Sequence, residues 1–262
     1  MWNILKNRLK QGYRTSDFPE GEPGLPDRFR GRPQLRPELC EVGCAACVDV
    51  CPTEAVAPAD AASPGGPRSP LTLDLGRCLF CNECVAACPP GAIAFTKDHR
   101  LAATRREDLI VRTDEVKLAE ALADEMRRLF GRSLKLRQVS AGGCNACEAE
   151  LNALGNVVFD LSRFGIQFVA SPRHADGLLI TGPITKNMED AVRLAYEAVP
   201  SPKLVIAMGA CGISGGPFRG SPEVLDGAGA VLPVDLYIPG CPPHPLTILD
   251  GLLRLLGRLE KR

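Results

Sequence analysis

Apolar residues follow two different rhythms along this 262-residue chain. From Leu134 onward, short runs rich in Leu, Val and Ile alternate with longer segments whose apolar positions return every three or four residues. The runs 134–139, 166–170, 178–181, 204–208 and 231–234 predict strands. The segments 146–154 and 187–199 predict helices, the second stopped by Pro200. A last amphipathic helix begins near Pro245, a residue suited to the first helical position, and runs through Leu249, Leu252, Leu253 and Leu256. Strand and helix in alternation predict an α/β domain built on a doubly wound parallel sheet.

Upstream the rhythm changes. Residues 114–130 predict one helix, with Thr113 at its start, Arg127 and Arg128 in its last turn and Gly131 in the left-handed position beyond it. Its apolar stripe is Val116, Ala119, Leu122, Met126 and Leu129. Residues 40–97 read as two similar halves, separated by a low-complexity loop over 58–70. Residues 1–39 are punctuated by Pro and Gly and rich in Arg and Lys, as in an arm laid on its own domain or docked to a partner. The boundaries expected are an arm over 1–39, a small α+β domain over 40–112, a linker helix over 113–133 and the α/β domain over 134–262.

Lys+Arg and Asp+Glu both number 31, so the chain is formally neutral. No global field draws it to nucleic acid. Its longest apolar stretches are about eight residues, short of the roughly 20 that cross a bilayer. No leader is legible after Met1, so a cytoplasmic location is expected.

Twelve cysteines change the picture. That density is below the ~8% of small disulfide scaffolds, and in a reducing compartment so many thiols point to metal. Cys78-x2-Cys81-x2-Cys84-x3-Cys88-Pro89 has the spacing that holds iron–sulfur cubanes, in which three close thiolates wrap one cluster and the fourth reaches the other. Cys40-x3-Cys44-x2-Cys47-x3-Cys51-Pro52 repeats it with one extra residue after Cys40. Crossed ligation puts Cys40, Cys44, Cys47 and Cys88 on one cluster, and Cys51, Cys78, Cys81 and Cys84 on the other. A zinc ribbon also uses CxxC pairs but has no need of a doubled CxxCxxxCP.

The other four cysteines are distant in sequence. Cys144, Cys211 and Cys241 each follow a predicted strand, and Cys147 completes a CxxC with Cys144. The carboxyl edge of an open α/β sheet is where ligands gather, so a third cubane is favoured there. A redox dithiol and a structural zinc are the alternatives. Glu148 is a candidate proton relay or cluster-tuning carboxylate, or simply an acid favoured at a helix N-terminus. Glu150 is expected to be solvated. No GxGxxG or GxxxxGK[ST] follows a strand, and His99, His174 and His244 stand alone with structural roles expected.

The segments GGCNACEAEL, SPRHADGLLITGPIT, GACGISGG and DLYIPGCPPHP, spread over 134–262, resemble the small subunit of membrane-bound, energy-converting [NiFe] hydrogenases, a family related to the B subunit of respiratory complex I. FRGRPQL and LGRCLFCNECVAACPPGAI resemble the ferredoxin-like subunit of formate hydrogenlyase. The resemblance implies a fusion of two subunits, with a flavodoxin-like C-terminal domain behind a dicluster ferredoxin-like domain. It implies three [4Fe–4S] clusters, with Cys144, Cys147, Cys211 and Cys241 facing the nickel–iron site of a separate large subunit. Membrane-arm subunits and an electron donor or acceptor protein are further partners implied, which would hold the chain peripherally on the cytoplasmic face of the inner membrane. Asn145 and Ala146 separate the first ligand pair, as in hydrogenases, where the complex I subunit has adjacent cysteines. A complex-I-like quinone reductase module, or a related complex without nickel, is the alternative.

Overall fold

The structure, a computed structural model, describes residues 2–41, 43–58, 71–113 and 115–259. The loop predicted over 58–70 lies, apart from Pro58, outside the described residues.

Short antiparallel pieces build the N-terminal half. Helix α1 (Trp2–Gln11) leads into strand β1 (Pro33–Leu35), which pairs with β4 (Ile93–Phe95). Strands β2 (Val56–Pro58), β3 (Leu71–Asp74) and β5 (Ile110–Val111) form a second small antiparallel sheet. The one-turn helices α2 (Ala46–Asp49) and α3 (Glu83–Ala86) sit at matching places in the two cysteine repeats and bury Cys47 and Cys84. The arm is therefore partly structural, since it supplies β1.

The C-terminal half is a five-stranded sheet with every pairing parallel. Its strands are β6 (Leu134–Ser140), β7 (Ile166–Phe168), β8 (Gly177–Thr181), β9 (Leu204–Met208) and β10 (Leu236–Ile238), in the order β10-β9-β8-β6-β7. This is the flavodoxin-like winding, which reverses where β6 pairs with both β7 and β8. Every residue of β8 and β9 is buried, as expected of central strands covered on both faces. Around the sheet lie α5 (Ala146–Ala153), α6 (Lys186–Ala198), α7 (Gly209–Ser214) and α8 (Pro245–Leu255), with α4 (Asp124–Phe130) leading in.

Two predicted elements change. The helix expected over 114–130 exists only as α4; residues 115–123 run without helical structure. Their backbone is satisfied elsewhere: Ala119 N–H donates to Ala102 O at 2.7 Å and Leu122 N–H to Leu255 O at 2.9 Å. Tertiary partners thus outcompete the helical ladder that the apolar stripe suggested. The strand expected over 231–234 is a turn instead, and the strand proper is β10. Pro233, lacking an N–H, cannot serve in a ladder.

The two halves share a core. Leu73, Leu75, Ile93 and Leu109 belong to one apolar cluster with Leu178, Ile180 and Ala207 from one face of the parallel sheet. Backbone joins them too: Ala103 and Tyr237 exchange hydrogen bonds of 3.0 and 2.8 Å along the edge of β10. The segment carrying Ala102 also lies on α8, where a Cβ on Gly251 would stand 2.7 Å from that of Ala102. Helix α8 is consequently buried all round.

That burial encloses an ion pair. Arg254 Nε donates to Asp250 Oδ2 at 2.8 Å, with 6% and 2% of the two side chains exposed. Removing one partner would leave an uncompensated buried charge. Asp250→Ala is expected to cost about 3–5 kcal/mol in urea unfolding, and Asp250→Leu with Arg254→Met to recover most of it.

Candidate metal centres

All twelve cysteines are free thiols, and their electrostatic neighbours divide them into three sets. Burial pushes the Cys40 and Cys47 thiols up, and their proximity to Cys44 and Cys88, and to each other in the case of Cys47, pushes them further. A cavity of about 220 Å³ is lined by these four residues. Burial likewise raises Cys78 strongly and Cys84 to about 11, with Cys51 and Cys81 adding to both. These four line a second, much narrower cleft. The third set lies at the carboxyl edge of the sheet. Burial raises Cys147 to about 12 and Cys211 to about 11, and both feel Cys241 and Cys144.

The loops of the first two sets repeat one another in detail. After each Cys-Pro, the chain turns through a left-handed residue, Glu54 (φ 52°) or Gly91 (φ 75°). The following amide then points back at sulfur: Ala55 N–H donates to Cys51 Sγ at 3.2 Å, and Ala92 N–H to Cys88 Sγ at 3.3 Å. Left-handed residues also precede the second ligand of each repeat, Gly43 (φ 81°) before Cys44 and Phe80 (φ 53°) before Cys81. The extra residue of the first repeat therefore falls ahead of this turn, and Cys40 still joins its set. Phe80 is an unusual residue for such a conformation. Arg30 Nη1 holds it by donating to Phe80 O at 2.9 Å, while Phe80 N–H donates to Cys78 Sγ at 3.3 Å.

Asparagine plays one part in two unrelated modules. Asn82, between Cys81 and Cys84, and Asn145, between Cys144 and Cys147, both take left-handed geometry (φ 79° and 69°). Each starts a helix that carries the second cysteine of its CxxC; a short amide side chain tolerates this conformation best after glycine. The third set also depends on missing side chains. A Cβ on Gly209 would lie 2.6 Å from Cys147 Sγ, and one on Gly216 would lie 2.8 Å from Cys211 Sγ.

Glu148 sits in the first turn of α5 and is buried. Burial disfavours its charge, but hydroxyl bonds from Thr181 and Ser140 and its own backbone N–H outweigh this and hold the carboxyl below its ordinary range. Glu150 is half-buried, and burial raises its carboxyl. His244 accepts from Leu246 N–H at 3.2 Å and so caps α8. Among the described residues, no three of His, Cys, Asp or Glu converge tightly enough on one metal ion. The gap lined by Cys40, Cys44, Cys47 and Cys88 suits a polynuclear cluster, whereas zinc draws four sulfurs to about 2.3 Å of one point. The N–H···S bonds, the free thiols and the side-chain-free approaches at Gly209 and Gly216 all fit [4Fe–4S] clusters.

Such a fold with such thiols defines an iron–sulfur electron-transfer subunit. The chain belongs to the family of the 20 kDa subunit of NADH ubiquinone oxidoreductase, matched over residues 144–255, and carries a 4Fe–4S dicluster domain over 39–92. A probable membrane-bound hydrogenase subunit of Pyrococcus furiosus is 42% identical over 147 residues, 56% of this chain and 88% of that protein. Formate hydrogenlyase subunit 7 of Escherichia coli is 47% identical over 131 residues, 50% of this chain and 51% of its own. This chain thus spans about half the length of that relative. The NADH-quinone oxidoreductase B subunit of Heliobacterium modesticaldum is 45% identical over 121 residues, 46% of this chain and 69% of the relative.

With iron removed, these environments predict uneven chemistry. The thiolate is the nucleophile, so a thiol raised to about 11 or 12 is scarcely reactive at pH 8. Iodoacetamide on iron-depleted, folded protein should label the exposed Cys44, Cys81 and Cys144 well before Cys84, Cys147 and Cys211. Mass spectrometry should find the gap narrowing as pH rises.

Proposed function

We propose that this chain relays electrons between the nickel–iron site of a partner hydrogenase large subunit and a redox partner at the ferredoxin-like half. Cys40, Cys44, Cys47 and Cys88 would hold one [4Fe–4S] cluster, Cys51, Cys78, Cys81 and Cys84 a second, and Cys144, Cys147, Cys211 and Cys241 a third. When bound, each cluster supplies a one-electron carrier. Membrane-arm subunits would hold the complex on the cytoplasmic face of the inner membrane. The hydrogenase-type spacing of Cys144 and Cys147 supports this reading over a quinone reductase module.

One observation carries the proposal: the three thiol sets stand in series. Cys84 lies close enough to feel Cys47 of the first set, and Cys241 of the third set feels Cys81. The set containing Cys78 and Cys81 therefore lies between the other two. Ser214 Oγ donates to Gly76 O at 2.9 Å, and Arg219 pairs with Glu54 at 3.4 Å, which fixes the two halves against each other at this junction.

The chain's own residues set the electrostatics. Backbone amides donate to Cys51, Cys78 and Cys88, and N–H···S bonds of this kind are among the features that set a bound cluster's potential. Thr181 and Ser140 keep the Glu148 carboxylate charged beside Cys147 and Cys211, which suits a fixed negative charge near that set.

Purified with its partners, the complex should contain about 12 iron and 12 sulfide per copy of this chain, together with nickel and hydrogen-dependent viologen reduction. Full iron without nickel or hydrogen activity would assign the chain to a complex-I-like or nickel-free relative. A colourless protein with stoichiometric zinc would overturn electron transfer itself.

Glu148→Gln removes a negative charge near the third set. The midpoint potential of that cluster should rise, because the more negative reduced state loses a repulsive neighbour, while iron content stays constant. A fall in hydrogen turnover with an unmoved potential would instead give Glu148 the role of proton relay.

A further inference from the structure

Among the described residues, α1 is the one helix longer than two turns that packs on nothing. Every residue from Trp2 to Gln11 is exposed, and none is buried against the rest of the chain. A 10-residue helix is shorter than the ~12–15 residues at which isolated helices become even marginally stable in water. Its lasting form therefore calls for a surface that covers it.

The residues say what kind of surface. Trp2, Leu5 and Leu9 recur at intervals of three and four, so they form one stripe, with exposures of 77%, 56% and 86%. Lys6 and Lys10 run along one border of the stripe and Arg8 lies along the other. Arg14 follows, and residues 1–16 contain no acidic side chain in a chain whose total charge is zero. Gly12 ends the helix with a left-handed turn, its N–H donating to Arg8 O at 3.0 Å. Beyond it Tyr13 is 85% exposed, with Arg8 stacked 4.1 Å from its ring centre.

Among the described residues, the contacts that hold the helix lie beyond its far end. Ser16 N–H donates to Val158 O at 2.9 Å, and Arg163 donates to Ser16 O and Phe18 O at 3.0 and 2.8 Å. Val157 and Val158, at this anchorage, are also exposed. The anchorage therefore adds apolar surface of its own beside the helix.

We propose that α1 is an interfacial helix that lays Trp2, Leu5 and Leu9 into the headgroup boundary of an anionic bilayer. An apolar stripe bordered by Lys and Arg, with a tryptophan on it, has the chemistry of such a surface: the stripe displaces water and the cations meet lipid phosphates. Among the described residues no helix is long and apolar enough to cross a membrane, so α1 would lie on the bilayer. Direct contact by this chain would then act beside any attachment through partner subunits, the two-signal arrangement that stable peripheral binding needs.

The test uses the full-length chain with its clusters in place and vesicles of known composition. Trp2 is the only tryptophan, so its fluorescence reports on α1 alone. Vesicles containing phosphatidylglycerol should shift its emission to the blue and carry the protein into the pellet, and added salt should weaken both effects. Lys6→Gln and Lys10→Gln should each weaken binding about fivefold. Leu5→Glu with Leu9→Glu should reduce it to background, with unchanged cluster absorbance as the sign of an intact fold. The proposal fails if emission does not move, if pure phosphatidylcholine binds equally well, or if Leu5→Glu with Leu9→Glu binds like the parent. It fails also if that variant keeps vesicle binding but loses its partner subunits, which would make the occupant a protein. Neither hydrogen nor nickel enters the assay, so its outcome is independent of the electron-transfer reading.

Discussion

Gathering sulfurs in buried places is the constraint on which the rest of this molecule depends. Four thiolates in one small space repel each other, and burial penalises each of them; both effects raise Cys47, Cys84, Cys147 and Cys211. Protonation relieves this in the thiols, and a cation-rich group at the centre would relieve it in the thiolates. The backbone meets the same demand by turning left-handed at Glu54, Phe80, Asn82, Gly91 and Asn145, which either aims an amide at sulfur or starts a helix beneath it. Each of these turns lies within four residues of a cysteine, so the unusual backbone is confined to the surroundings of the sulfurs.

The same demand places the third set. In a sheet wound as β10-β9-β8-β6-β7, the loops after β6, β9 and β10 meet at the carboxyl edge, and the reversal at β6 and β8 opens the crevice there. Gly143 and Gly182 come so close that a Cβ on Gly182 would lie 2.6 Å from Gly143 N. Backbone, not side chain, thus lines the floor beneath Cys144 and Cys147. Thr181, the last residue of β8, reaches the same floor and gives Glu148 its partner.

Much of this was legible in the sequence, for physical reasons that also explain the failures. The strand over 204–208 and the helices near 146, 187 and 245 rest on local apolar periodicity, which the buried sheet and its covering helices preserve. The turns around the first eight cysteines repeat as their CxxC and CP spacing does, because that geometry is local. The 115–123 stretch misled because its stripe is genuine, but it is spent on α8 and Ala102 in an extended strap instead of a helix. Val231–Val234 misled because apolar content outweighed the missing N–H of Pro233. The shared use of Asn82 and Asn145 was visible as a repeated asparagine inside CxxC, whereas nothing local pointed to Thr181, Arg30 or the sulfur clearances at Gly209 and Gly216.

Carrying both modules on one chain has a physical consequence at their junction. Two separate proteins meeting there would lose translational and rotational freedom, a cost of several kcal/mol before any contact is made. Among the described residues the contacts include the Ala103–Tyr237 bridge, the Ser214–Gly76 bond, the Arg219–Glu54 pair and a shared apolar cluster. Covalent connection through 112–133 makes their association intramolecular, so an effective concentration replaces a bimolecular encounter. The strap over α8 stiffens that linker further, because Ala119 and Leu122 are tied to Ala102 and Leu255. Cys81 and Cys241 are thereby kept neighbours by the chain itself, so the spacing between the second and third thiol sets does not depend on subunit assembly.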